Sequence, residues 1–308
     1  MNKPLIITIY IIVVLLLLYI SNQLIPYINY INKKKISRDI FSLIGVGCVN
    51  LLLPRRYKWR KGELGNKPRR TIWMYWEGKS LDWVNLMVEI AEKNSGCEVV
   101  LLNPKTIHSI ISTNELITDW QSITPIAHKA DYLRSVILTK FGGIWLDVDT
   151  IVLQDLNYLL DMLEDYDMVG FDQMGFNPNL GVLVCRANSP IMRKWKEELE
   201  ITFNSTKKIK TWSYNIFLLH RICFDLIVRD GLPYKSIYHN TTYIIPFYKD
   251  YLWLSLGNFK SIKRDNQPIL TFSGRSKKKF DNMNRDQLIN SSMLWSSAVR
   301  FALINNIN

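Results

Sequence analysis

The chain has 308 residues, enough to bury one large core, and 48% hydrophobic with 21% charged residues suits a globular protein with a membrane-apposed part. Its formal charge of +12 is uneven: residues 1–70 hold 13 Lys and Arg against 2 acids, and residues 71–308 hold 26 against 25. That distribution argues against a nucleic-acid-binding core, which would carry basic charge on its folded face, and suits a membrane surface for the arm.

Leu5 to Ile20 is a run of 16 residues without a charge. As a helix it would span about 24 Å, a little short of a bilayer core of roughly 30 Å, and Leu24 and Ile25 could extend it. No small-residue cleavage site follows, so the expectation is a retained transmembrane anchor over residues 1–25. Residues 26–70 read as a basic membrane-proximal stem. Within it, the apolar run Ile40–Leu53 contains Gly45 and Gly47 and is too short for a second span. The basic residues from Arg55 to Arg70 suit anionic head groups. Orientation stays open between a cytoplasmic and a Golgi-lumenal catalytic domain. Lys33, Lys34, Lys35 and Arg38 after the anchor favour the first; the sequons at Asn204, Asn240 and Asn290 would fit the second.

From Thr71 onward strands and helices alternate. Strands are expected at Thr71–Tyr75, Glu98–Leu102, Ile144–Leu146, Met168–Phe171 and Gly181–Cys185. Helices are expected at Leu81–Lys93, His128–Phe141 and Pro190–Phe203, with a short helical piece at Thr106–Ser112. Gly142-Gly143 stops the second helix. This order implies an α/β domain over 71–308, with a mainly parallel central sheet, helices on both faces and ligands at the carboxyl ends of strands. The four cysteines are widely and irregularly spaced, without a C-x-x-C; Cys185 and Cys223 read as buried small hydrophobes, and neither a zinc site nor a disulfide framework is implied.

The segment richest in chemistry is AHKADYLRSVILTKFGGIWLDVDTIVL, residues 127–153. Asp147 and Asp149 end a buried apolar strand and precede a second one. Two carboxylates at that place are costly unless a positive charge sits on them, and a divalent cation carrying a phosphate is the usual solution. Asp131 and Arg134 lie upstream on the preceding helix.

IWMYWEG at 72–78, KADYLR at 129–134 and FGGIWLDVD at 141–149 together resemble the DXD-containing sugar transferases, glycosyltransferase family 32, with a GT-A fold. The resemblance covers residues 70–190 well and the rest weakly. It implies a retaining hexosyltransferase that uses a UDP- or GDP-sugar donor and a glycan or glycoconjugate acceptor, with Mn2+ or Mg2+ as the cofactor. By the same resemblance Trp76 stacks on the nucleotide base. Asp131 contacts ribose or sugar, and Arg134 binds the sugar or orients Asp131. Asp147 contacts ribose and metal, Asp149 ligates the metal, and Trp145 packs beneath. Asp172, Asn177 and Asn179 lie where the family places donor-sugar and acceptor contacts.

One departure stands out. Many relatives complete the metal shell with a His near the C-terminus, but residues 269–279 contain none. Ser273 could ligate instead, and Lys277 or Lys278 could grip the diphosphate. His239 sits in an expected loop and His128 at an expected helix start. Two other readings remain: an inactive membrane-anchored scaffold, and a haloacid-dehalogenase-type phosphatase with Asp147 as nucleophile. The second leaves KADYLR and WEG unexplained.

Overall fold

The computed structural model describes residues 59, 63–172, 175–209, 211, 213–238, 242, 245, 247–272 and 278–304, all within one unit, Arg55–Asn308. The expected anchor, most of the stem, Ser273, Lys277 and His239 lie outside the described residues. Among those residues no helix is long and apolar enough to cross a membrane. Residues 63–70, assigned to the stem by the sequence, run against the folded domain. Gly65 N–H donates to Asp167 Oδ1, Asn66 pairs with Ala187, and Arg69 N–H donates to Phe141 O.

The main sheet has six strands in the order β2-β1-β3-β6-β5-β7. They are β1 (Thr71–Tyr75), β2 (Glu98–Leu102), β3 (Gly143–Leu146), β5 (Met168–Asp172), β6 (Val182–Cys185) and β7 (Tyr234–Tyr238). Five run in one direction and β6 runs against them. The reversal has a simple cause: only residues 173–181 connect β5 to β6, too few for the crossover of about a dozen residues that a parallel return needs. A second, small antiparallel sheet pairs β4 (Thr150–Val152) with β8 (Ile269–Thr271).

Side chains alternate across the main sheet. Ile72, Met74, Ile144 and Leu146 enter one core, and Trp73, Tyr75 and Trp145 enter the other. The first core is covered by α1 (Asp82–Asn94), α3 (Asn157–Asp161), α6 (Arg285–Asn290) and α7 (Leu294–Ile304). The second is covered by α2 (Ile126–Phe141), α4 (Pro190–Ser205) and α5 (Tyr214–Cys223). On α1, Trp83, Leu86, Met87 and Ile90 form the inward stripe expected of a surface helix. By contrast α2 is buried almost all round from His128 to Leu138, because the sheet lies on one side and α4 and α5 on the other.

The expected strands appear within a residue of their sequence limits. The helix expected from His128 begins two residues earlier, at Ile126, and the piece expected at Thr106–Ser112 is a 3₁₀ turn at Ile107–Ser109. Gly142 stops α2 at φ +60°, and a Cβ there would come within 2.4 Å of Ala187 N, so only glycine fits. Cys97, Cys185 and Cys223 are unpaired thiols; the last two are fully buried.

Candidate active site

Asp147-Val148-Asp149 joins the two sheets: β3 ends at Leu146 and β4 begins at Thr150. Val148 is buried in the core between the carboxylates. Both aspartate backbones are pinned. Asp147 N–H donates to Gly181 O at 2.9 Å, and Phe272 N–H donates to Asp149 O at 3.0 Å. The pair therefore sits at the carboxyl edge of a strand in a mainly parallel sheet, where such folds bind ligands. Trp76 is on the same edge. Trp73 of β1 is in register with Trp145 of β3, so Trp76 and Asp147 leave adjacent strands together.

A cation organises the acids. Arg134, 3% exposed, donates from Nη1 to Asp131 Oδ1 at 2.9 Å and from Nη2 to Asp147 Oδ1 at 2.6 Å. Its guanidinium lies 5.0 Å from the Trp145 ring centroid, and Trp145 Nε1 donates to the same Asp147 Oδ1 at 3.0 Å. Asp131 Oδ2 accepts from Asn215 Nδ2 at 3.0 Å. The sequence-predicted Asp131, Arg134, Trp145 and Asp147 thus form one hydrogen-bonded group. Asp147 Oδ2 lies outside it: the carboxylate is 41% exposed, and a Cβ on Gly181 would come within 3.1 Å of that oxygen. Glycine at 181 leaves the space in front of Oδ2 open.

Asn179 belongs to this edge as well. Its Oδ1 accepts from Gly181 N–H at 3.0 Å, which shapes the turn under Asp147. Trp76 is half-buried. Its Nε1 donates to Lys79 O at 2.8 Å and its ring meets Trp83 edge to face, 5.2 Å between centroids. Its neighbour Glu77 takes both carboxylate oxygens to Lys129 Nζ, at 2.9 and 3.0 Å, and accepts from Tyr75 OH at 2.7 Å. Lys129 is on α2, so this pair ties the Trp76 segment to the helix that carries Asp131. Burial, reinforced by Glu77, pushes the Tyr75 hydroxyl far up, so it remains a donor.

Asp172 is held inside the fold. It is 2% exposed and accepts from Tyr234 OH, from Ser236 Oγ at 3.0 Å and from Gly175 N–H. Burial and Asp172 hold the Tyr234 hydroxyl protonated. His220 Nε2 meets Pro178 O at 3.1 Å, and burial lowers its pKa to about 4. Together these contacts clamp the β5–β6 connection from beneath. Asn177 Oδ1 is buried there without a hydrogen-bond partner. Among the described residues no group of three or more His, Cys, Asp or Glu could hold a metal.

Glu77 and Lys129 stand inside the WEG and KADYLR motifs, yet only the fold reveals that they pair. Asn215 carries no sequence signal. His128 is not merely a helix-start residue: it is fully buried against Asn215.

Residues 80–168 match the family described as "Glycosyltransferase sugar-binding region containing DXD motif". This range holds Asp131, Arg134, Asp147 and Asp149 and leaves out Trp76, Asn179, Ser273 and Lys277. It makes the enzyme class a glycosyltransferase, in agreement with the motif resemblance. No curated protein matches the chain. Solved structures similar to it include the PaToxG glycosyltransferase, with 14% identity and a TM-score of 0.41 over 60% of this chain and 77% of that one. The apo-form glycosyltransferase GlyE of Streptococcus pneumoniae TIGR4 gives 16% and 0.42; the match covers 77% of this chain and 61% of GlyE. The galactosyltransferase LgtC, in complex with donor and acceptor sugar analogs, gives 12% and 0.39 over 76% and 94%.

Proposed function

We propose that this chain is a metal-dependent, configuration-retaining glycosyltransferase of GT-A type, a family 32 relative. It moves a hexosyl unit from a UDP- or GDP-sugar to a glycan or glycoconjugate acceptor, from a single-pass anchor at residues 1–25. One observation carries the reading: Arg134 bridges Asp131 and Asp147 at the carboxyl edge of the sheet, and the outer oxygen of Asp147 is left facing open space.

The donor set fits a hard divalent cation. Asp131 and Asp147 bring two carboxylates to one edge with Arg134 between them, and Asp149 follows two residues after Asp147 on the same connection. Mg2+ or Mn2+ takes oxygen ligands and is commonly held by one or two carboxylates plus phosphate oxygens and water. Asp147 Oδ2 and the Asp149 carboxylate would hold it. Ser273 would be a third ligand and Lys277 a diphosphate contact; Phe272, the residue before Ser273, bonds Asp149 O.

When bound, the cation neutralises charge on the departing nucleoside diphosphate. Trp76 stacks on the base, fixed in place by its bond to Lys79 O and by Trp83. Asp131 takes a hydroxyl of ribose or sugar. Arg134 keeps Asp131 and Asp147 in one arrangement, so the donor meets a pre-set charge pattern. In the transfer, the bond from the sugar C1 to the diphosphate oxygen breaks and a bond from C1 to the acceptor oxygen forms. The acceptor proton passes to a departing phosphate oxygen, so no side chain is assigned as general base. Asn179 would bind the donor through the turn it shapes beside Asp147.

The test is donor hydrolysis by the full chain, purified in detergent, over a nucleotide-sugar panel with Mn2+, with EDTA, and with Asp149→Ala. Metal-dependent release of UDP or GDP from one donor, lost in Asp149→Ala, is expected. Folded protein that neither binds nor cleaves any donor would leave the scaffold reading standing. Phosphate release from a phosphomonoester would point to the phosphatase.

A further inference from the structure

Asn215 is the second residue of α5 and fully buried. Its Nδ2 donates to Asp131 Oδ2 at 3.0 Å and contacts His128 Nδ1 at 2.9 Å. An amide nitrogen can only donate, so His128 Nδ1 accepts and the ring proton sits on Nε2. The opposite amide orientation would set its oxygen against the Asp131 carboxylate, which fixes the assignment. The bonds then form one chain: Asn215 reaches from His128 to Asp131, and Arg134 reaches from Asp131 to Asp147. Both Asp131 oxygens are occupied, Oδ1 by Arg134 and Oδ2 by Asn215, so the carboxylate plane is set from two sides.

This arrangement is not what packing alone would select. His128 Nε2, Asn215 Oδ1 and Arg134 Nε are all buried without a hydrogen-bond partner. Each costs stability, and an apolar pair of similar size between α2 and α5 would avoid that cost. What the amide gives in return is the orientation of Asp131.

We infer that Asn215, held by His128, is a positioning residue. It fixes the Asp131 carboxylate, and through it the Arg134 guanidinium on Asp147. The inference rests on the reading that Asp131 and Asp147 face the donor.

Three variants of the full chain test it: Asn215→Leu, His128→Phe and His128→Gln. Leucine keeps the branched shape of Asn215, with larger methyl groups, and removes both bonds. Phenylalanine removes the acceptor behind the amide, whereas the glutamine side-chain oxygen can replace it. Asn215→Leu is expected to lower kcat/KM for donor hydrolysis by about 100-fold, the scale of an ångström-sized misplacement. Its crystal structure should show the Asp131 carboxylate turned away from Arg134. His128→Phe should follow it and His128→Gln should restore most of the rate. A purely structural role would instead lower Tm in both His128 variants alike and leave kcat/KM of the folded fraction unchanged. The inference is overturned if Asn215→Leu keeps the Asp131–Arg134–Asp147 bonds and the parental kcat/KM, or if the two His128 variants behave identically. Should Asn215→Leu not fold, the His128 pair decides. Should the parent cleave no donor, the transfer reading falls, and the variant crystal structures still decide whether Asp131 is positioned by Asn215.

Discussion

Replacing Arg134 by methionine removes the cation that bridges Asp131 and Asp147 and keeps most of the side-chain volume. Breaking a buried ion pair by deleting one partner costs about 3–5 kcal/mol, because the remaining charge is stranded. The two partners here feel that differently. The Asp131 side chain is 12% exposed and takes nearly the whole penalty. Asp147 is 41% exposed, and the loss there is nearer the ~1 kcal/mol of a surface pair. Asp131 keeps its Asn215 donor, which offsets about 1 kcal/mol. The net expectation is a loss of roughly 3 kcal/mol, or about 6–12 °C in Tm for a domain of this size. Urea unfolding of the full chain at pH 7 measures it. Adding Asp131→Asn to Arg134→Met removes the stranded charge and should recover about 2 kcal/mol, because loss of both buried partners is tolerated far better than loss of one. A single-variant loss under about 0.5 kcal/mol, the range of an ordinary surface change, or the absence of any recovery in the double variant, would refute Arg134 as the counter-ion of these carboxylates.

Three further expectations follow from the same geometry. Gly181→Ala places a methyl 3.1 Å from Asp147 Oδ2, so the Mn2+ needed for half-maximal donor hydrolysis should rise about tenfold with Tm nearly unchanged; an unaltered Mn2+ titration would show that Oδ2 takes no part in metal binding. Lys129→Met unties Glu77 from α2 and should raise the donor KM more than it lowers kcat, and equal effects on both would detach this pair from Trp76 placement. His220, half-buried with its pKa lowered to about 4 against roughly 6.5 unfolded, binds its proton more readily in the unfolded chain. Its contribution is therefore complete above pH ~6.5 and is lost as pH falls toward 4, by about 2–4 kcal/mol in all. His220→Gln, which retains a donor for Pro178 O, should flatten the difference in urea stability between pH 7 and pH 5; parallel slopes in parent and variant would contradict this.

The strands β1, β2, β3, β5 and β6 were legible because each is a short apolar run bounded by polar or glycine residues, and α1, α2 and α4 because apolar residues recur at helical spacing. The small sheet was half legible. TIVL reads as a strand, but its partner Ile269–Thr271 lies more than a hundred residues away and is only three residues long, so no local pattern announces the pairing. The direction of β6 could have been inferred from the nine residues that precede it, since connection length limits handedness and direction more firmly than composition does. Within the site, Asp131, Arg134, Asp147 and Asp149 were legible as motif residues. Asp172 looked equally polar in sequence and turned out to be consumed by Tyr234, Ser236 and Gly175. Whether a carboxylate faces a ligand or a neighbour depends on which strand is placed beside it. Asn215 was illegible for the same reason: its partners are 84 and 87 residues away.

The sixteen-position step from Asp131 to Asp147 has a geometric origin. Arg134 lies eight residues before Gly142, and a helix covers those eight in about 12 Å. Gly142-Gly143 then reverses the chain, with positive φ at both residues. From Gly143 to Asp147 a strand climbs four residues, about 13 Å. Helix and strand have nearly equal lengths, so the carboxylate at the strand end returns to the level of the guanidinium on the helix. Asp131 is one turn further along α2, at i and i+3 with Arg134, which puts it on the same helix face as the cation. The KADYLR and FGGIWLDVD segments are therefore parts of one helix–reversal–strand unit, and their spacing is what lets a single arginine hold both acids. A lone Asp-x-Asp lacks that unit, which is why the pair of segments carries more meaning than the dipeptide repeat alone.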